Sequence, residues 1–274
     1  MRVLISVDME GISGVTGRDD VTPGTASYER FRRRMTAEAS AAVAGAFAGG
    51  AQSVVVNDSH DGARNILYEE LDERAELISG TANRHLGMVE GAQGADAAIF
   101  IGYHSWAGTA ASVLDHTIAS RYCYNWWLNG VRVGEAQLNV ALLAHFGVPV
   151  VLACGDDKLC AQIAETIPAA RRVIVKYGIS MTTARSMPRA EVLRAIEAEA
   201  KVAVAGAANL PRPRIEGPQT IRIQFVRAGH ADSAARWPTV ARVDDLTTEV
   251  TGQDIVEAFR MARAMVAMAG GAEQ

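Results

Sequence analysis

The feature that most constrains this chain is the alternation, through its first half, of short β-branched runs with segments of helical periodicity. Arg2–Val7, Ser53–Val56, Leu77–Ser79, Ala97–Ile101 and Val148–Ala153 are short and apolar, as strands covered on both faces must be. Between them lie patterns of a different period. From Tyr28 onward, Phe31, Met35, Ala39, Val43 and Phe47 recur on one helical face, and Gly49-Gly50 supplies the stop. Glu135–Phe146 reads as a further helix. Strands that alternate with helices build a mainly parallel sheet flanked by helices, so the expected fold class is α/β.

Beyond residue 160 the pattern loosens. Val173–Lys176 reads as a strand and Arg189–Val204 as a helix with Pro188 near its first turn. Asn209 to Pro218, with three prolines and a glycine, reads as a long loop or a subdomain boundary. Thr220–Val226 alternates as a half-buried strand does, with Ile221, Ile223 and Phe225 on one side, and about Asp254–Met268 forms a last helix with Ile255, Phe259, Ala262 and Val266 on one face. The division expected is an α/β core over residues 1–160 and a smaller C-terminal α+β portion over residues 161–274.

Composition excludes several classes of function. With 274 residues, 49% of them apolar, the chain has ample material for a core. Its net charge of −4 favours neither nucleic acid nor anionic membrane as a partner. The run Arg30, Arg32, Arg33, Arg34 sits beside Glu29 on a helical segment and reads as a solvated face. No apolar stretch reaches the roughly 18 residues of a membrane span. Asp8 arrives too early for the apolar part of a signal peptide, so a cytoplasmic location is expected. Cys123, Cys154 and Cys160 form no Cys-x-x-Cys pair and are expected as reduced, mostly buried thiols.

The chemistry lies at the strand ends, where open α/β sheets bind ligands. Asp8 and Glu10 follow the first strand, Asn57, Asp58 and His60 the second, and His104 follows Ala97–Ile101 after Gly102 and Tyr103. Asp8 and Glu10 are two apart, so in extended backbone their side chains point the same way. Each residue alone has an ordinary structural explanation, as a helix cap or a surface histidine. Together they bring carboxylates and imidazoles without thiolate to one edge, a set suited to zinc, manganese or iron(II).

At these residues the chain resembles the DppA-type D-aminopeptidases. The resemblance is carried by Ser6-Val-Asp-Met-Glu-Gly-Ile-Ser-Gly14, Val56-Asn-Asp-Ser-His60, Met88-Val-Glu-Gly91, Gly102-Tyr-His104, Asp115-His116, Gly134-Glu135 and Gly155-Asp-Asp157, and it covers residues 1 to about 180. It implies two zinc ions per subunit, and a site of this kind would also accept manganese or cobalt. Asp8 would bridge, with Glu10 and His104 on one side and His60 and Glu135 on the other. Three carboxylates against two divalent ions leave one positive charge, enough to hold a bridging hydroxide. The resemblance further implies His116 as catalytic nucleophile or general base, although from chemistry alone it has an equal claim as a loop residue. The expected activity is hydrolysis of the N-terminal residue, such as D-Ala, from small peptides or amides, in a homo-oligomer that the family makes a decamer with an internal chamber.

The chain departs from the family pattern at Ser105-Trp106 and in the aromatic run Tyr122, Tyr124, Trp126 and Trp127. These residues either reshape the substrate pocket or pack in the core or at a subunit contact. Two other readings stand beside the aminopeptidase. An aspartyl-nucleophile phosphatase would use Asp8-Met-Glu-Gly11 as its Asp-x-Asp-Gly motif, but Glu10 replaces the second Asp and both Lys158 and Lys176 follow Gly155-Asp156 instead of preceding it. A non-catalytic metal-binding oligomeric scaffold would keep the ligands without turnover. His85, His145 and His230 have no acidic company at a strand end and are expected to be dispensable.

Overall fold

The protein is described here by a computed structural model covering residues 1–81 and 84–271. β1 (Arg2–Val7) leads through the short α1 (Arg18–Val21) into α2 (Ala26–Ala48). The Thr25 hydroxyl caps α2 by accepting the Tyr28 N–H at 3.0 Å, and Phe31, Met35, Ala39 and Val43 lie buried on its inner face. Next come β2 (Ser53–Asp58), β3 (Glu76–Ile78), β4 (Ala97–Tyr103), β5 (Cys123–Leu128), β6 (Val131–Val133) and α3 (Glu135–His145). β7 (Val150–Asp156), α4 (Asp157–Thr166), β8 (Arg171–Ser180), β9 (Thr183–Ser186) and α5 (Arg189–Gly206) complete the larger part. Past the irregular residues 210–218 follow β10 (Gln219–Phe225), α6 (Ala228–Ala234), β11 (Ala241–Arg242), β12 (Thr247–Gly252) and α7 (Ile255–Gly270).

Two sheets result. The larger has the order β3-β2-β1-β4-β7-β8-β9 and is parallel except for the last pair, and the smaller is antiparallel in the order β11-β12-β10-β5-β6. One face of the large sheet, with Val3, Ile5, Val54 and Ile99, packs under α2 and α5; the other, with Leu4, Val55 and Phe100, packs against α3, the small sheet and α7. A parallel sheet covered on both faces needs the near-continuous apolar strands that the sequence supplies. Among the described residues no helix is long and apolar enough to cross a membrane.

The sheets interleave along the chain. The small sheet takes β5 and β6 from residues 123–133, while the large sheet takes β8 and β9 from residues 171–186, so the expected division at residue 160 does not follow the sheets. Residues 210–218 run without helix or strand, and β10 beyond them pairs with β5 inside the small sheet. Trp126 of the aromatic run is wholly buried in β5 and Tyr122 meets the His230 ring edge-on, so these two pack the core, whereas Tyr124 is exposed and Trp127 partly buried. The three cysteines are free and buried.

The chain turns over from β1 to β2 and β3 on one side, then returns to place β4 on the other side of β1. The crevice at such a reversal, outside the carboxyl ends of the strands, is where these sheets bind ligands. Here the strand ends come unusually close. The Gly11 N–H donates to the Gly102 carbonyl at 2.8 Å, and a Cβ at Gly11 would lie 1.9 Å from the Tyr103 oxygen. Gly102 has φ +68°, and a Cβ there would lie 2.2 Å from the Asp8 oxygen.

Candidate active site

Six groups converge at that crevice, brought by five pieces of backbone. Asp8 is the first residue past β1, Glu10 lies in the turn that follows, His60 is two residues beyond β2, and His104 directly follows β4. Glu135 opens α3, where a carboxylate also meets the positive end of the helix. His116 comes from the loop between β4 and β5. Asp8, Glu10, His60, His104 and Glu135 are all buried, and His116 is the most open of the set.

The distances form a chain of contacts. His60 Nδ1 lies 3.3 Å from Asp8 Oδ1 and 3.0 Å from Glu10 Oε2. His104 Nε2 lies 3.4 Å from Asp8 Oδ2 and 3.5 Å from Glu135 Oε1. His116 Nε2 is 3.7 Å from Glu135 Oε1 and 3.9 Å from Glu10 Oε1, and its ring stacks on that of His104 with centroids 4.2 Å apart. Each histidine gives its other nitrogen to a carbonyl: His60 Nε2 to Val21 at 2.8 Å, His104 Nδ1 to Ser105 at 3.0 Å, His116 Nδ1 to Leu114 at 2.8 Å. A carbonyl only accepts, so those nitrogens carry the hydrogen. In the neutral ring the nitrogen facing the carboxylates is then a lone pair, which is how metal-ligating histidines are oriented.

Three buried carboxylates this close require cations. Burial, reinforced by Glu10, pushes the Asp8 carboxyl up to about 6. Burial alone would lower His104, but the Glu135 and Asp8 carboxylates overcome it and hold the imidazole at about 10; Glu10 and Asp8 likewise hold His60 well above its usual value. Against its own burial, His104, His116 and the Ile118 N–H bring Glu135 down to about 2. Protons on His60 and His104 thus do what metal ions would do, and metal binding would release them. Asp8 Oδ2, Glu10 Oε2 and His104 Nε2 are buried without a hydrogen-bond partner in the structure. The ligand atoms of Asp8, Glu10 and His104 lie within 4.8 Å of one another, as do those of His104, His116 and Glu135. Orphaned oxygens and a nitrogen at this spacing fit a divalent metal.

The protonation has a consequence for the metal-free protein. A histidine held above 6.5 stabilises the fold fully below that pH, and the contribution is lost as pH climbs towards the folded value. Lys176, pushed down by burial to about 8, acts in the opposite sense only above that pH. Between pH 6.5 and 8 the chelated protein should therefore lose stability as pH rises, by up to about 1.4 kcal/mol per unit for each proton released. A zinc-loaded sample should show a flatter profile. Thermal melts across this range check it; a chelated Tm that stays level or climbs would contradict the assignment.

Other polar groups at the strand ends hold loops. Asp58 accepts the Asn65 and Ile66 N–H groups, and Asp156 caps α4 through Leu159 while accepting the Ser112 hydroxyl. Lys176 of β8 is wholly buried and its ammonium donates to the carbonyls of Glu10, Ile12 and Val15 at 2.5, 3.1 and 2.8 Å, tying down the turn that carries Glu10. Sequence reasoning passed over this role, although a lysine directly after the apolar run Val173–Val175 is its visible signal.

A cavity of about 580 Å3 opens beside the cluster. Asp8, Glu10, His60, His116 and Glu135 line its floor; Met88, Leu138 and Phe259 give an apolar wall, and Phe259 comes from α7. Neither Ser105, Trp106 nor the aromatic run belongs to its lining among the described residues.

The chain matches the D-aminopeptidase family over residues 1–264. It belongs to that family. A D-aminopeptidase of Bacillus subtilis (strain 168) is 32% identical over 273 residues, covering 98% of both chains. The solved structure described as Zn-dependent D-aminopeptidase DppA from Bacillus subtilis, a self-compartmentalizing protease, superposes with a TM-score of 0.94 at 31% identity, again over 98% of each chain. Family membership thus extends past residue 180, where the sequence motifs fade, and takes in the small sheet and most of α7.

Proposed function

We infer that this chain is a metal-dependent D-aminopeptidase that hydrolyses the N-terminal residue, such as D-Ala, from short peptides or amides. The observation that carries the reading is three buried carboxylates faced by three histidine nitrogens, at the floor of a cavity large enough for a small ligand. The residues that would hold two zinc ions are Asp8, Glu10, His60, His104 and Glu135. When bound, such ions polarise a carbonyl and make water a nucleophile near neutral pH.

The chain's own groups do the rest. Glu135 and Glu10 flank His116, and the Leu114 carbonyl holds its Nδ1–H, so Nε2 is placed to take a proton and return it to the leaving amine. The Ile118 N–H fixes Glu135 at 2.6 Å, which keeps the carboxylate aimed at the floor. Met88, Leu138 and Phe259 give the reacting end an apolar side. By analogy with the self-compartmentalizing relative, we propose that the protein works as a homo-oligomer, a decamer, enclosing its cavities.

The phosphatase alternative lacks support, because the Lys176 ammonium it would need is consumed by three carbonyls. Elemental analysis of purified protein, joined to hydrolysis of D-Ala-D-Ala, L-Ala-L-Ala and p-nitrophenyl phosphate with and without chelator, tests the reading. Zinc in the protein and chelator-sensitive cleavage of D-Ala-D-Ala in preference to the L-form are expected. Release of phosphate without peptide cleavage would reverse the conclusion.

A further inference from the structure

Outside the ligand cluster, the charged residues lining the cavity are Arg18, Arg84 and Arg263 against Asp61 and Asp115. Outside the cluster, three arginines thus face two carboxylates in a chain whose net charge is −4. Asp115 is already committed, since its Oδ2 accepts the Gly108 and Thr109 N–H groups. A peptide small enough to be enclosed in about 580 Å3 has its C-terminal carboxylate inside the cavity together with its reacting end. A carboxylate withdrawn from water needs a charged or hydrogen-bonding partner there.

Of the three arginines, Arg84 is built for the task. It is half-buried, whereas Arg18 and Arg263 are exposed and more strongly screened. Its Nη1 donates to the Asp58 carbonyl at 2.7 Å and its Nη2 to the Ile78 carbonyl at 3.3 Å. Those contacts tether the guanidinium to the ends of β2 and β3 and use two of its five N–H donors, so the fork is oriented before a ligand arrives. Asp58 is also the last residue of the strand that delivers His60, which fixes the anchor and the reacting end to one piece of backbone.

We propose that Arg84 is a specificity-determining residue that receives the C-terminal carboxylate of a short peptide, so that the cavity selects peptide acids over the corresponding amides. This rests on the aminopeptidase reading above. A charge-assisted pair of this kind contributes roughly a tenfold to hundredfold preference.

The test compares kcat/KM for D-Ala-D-Ala and for its C-terminal amide in the zinc-loaded wild-type enzyme, Arg84→Gln, Arg84→Lys and Arg263→Gln. The ratio of the two substrates is independent of how much protein is folded. The wild type should prefer the acid. Arg84→Gln should lower the acid-to-amide ratio by about tenfold to a hundredfold, mainly through KM, and Arg84→Lys should restore part of it. Equal losses on both substrates would reduce Arg84 to a structural residue, and a ratio that moves only in Arg263→Gln would transfer the role to α7. A wild type that cleaves neither substrate in D- or L-form would overturn the aminopeptidase reading and this inference with it; a wild type that cleaves both while the ratio stays fixed in Arg84→Gln overturns the inference alone.

Discussion

Replacing His104 by alanine should strip metal from the protein and reduce peptide hydrolysis by about three orders of magnitude, the scale set by losing several kcal/mol of charge stabilisation at the scissile carbonyl. His104 Nε2 touches both Asp8 and Glu135, so its removal opens the middle of the cluster and leaves neighbouring buried carboxylates short of a partner. Stability should fall as well, since an uncompensated buried charge costs several kcal/mol. Glu10→Ala should act in the same direction. Metal content by elemental analysis, read beside kcat/KM, decides the matter. Full metal occupancy in His104→Ala would mean that the cluster holds its cations by another set of groups.

His116→Ala should separate metal binding from turnover. The side chain lies at the rim of the cluster, 3.7 Å or more from the nearest carboxylate oxygen, and stacks on the His104 ring without occupying the centre. Its loss should keep the metal and lower kcat by about 10² to 10⁴, the span typical of a general acid–base group, with a smaller change in KM. If metal is lost along with activity, His116 belongs among the ligands beside His104 and Glu135, a grouping its position also allows. If activity survives, proton transfer must be assigned elsewhere.

How legible this site was in the sequence depended on how locally each residue is placed. Asp8, Glu10, His60 and His104 follow strands whose apolar runs announce themselves, and a strand end in a parallel sheet has a fixed place relative to its neighbours. Glu135 opens a helix and His116 lies in an irregular loop, so no periodicity marks either one; family resemblance supplied both. The small sheet was hidden for a related reason. β5 pairs with β10, with Leu128 opposite Ile221, and β10 pairs with β12, partners that local pattern cannot reveal. Arg84 and Phe259 meet the same cavity from distant parts of the chain, and no spacing records that meeting.

The contact of main chain with main chain at Gly11 and Gly102 sets a limit on how this protein can change. The distance between the acid-bearing end of one strand and the imidazole-bearing end of the next is gauged by peptide groups alone, with no side chain available to trim or pad it. New selectivity therefore has to come from cavity side chains such as Arg84, Met88, Leu138 and Phe259, which can be exchanged while the main-chain spacing between the two strand ends stays fixed. Libraries aimed at altered substrates should leave the two glycines alone and draw their diversity from those side chains.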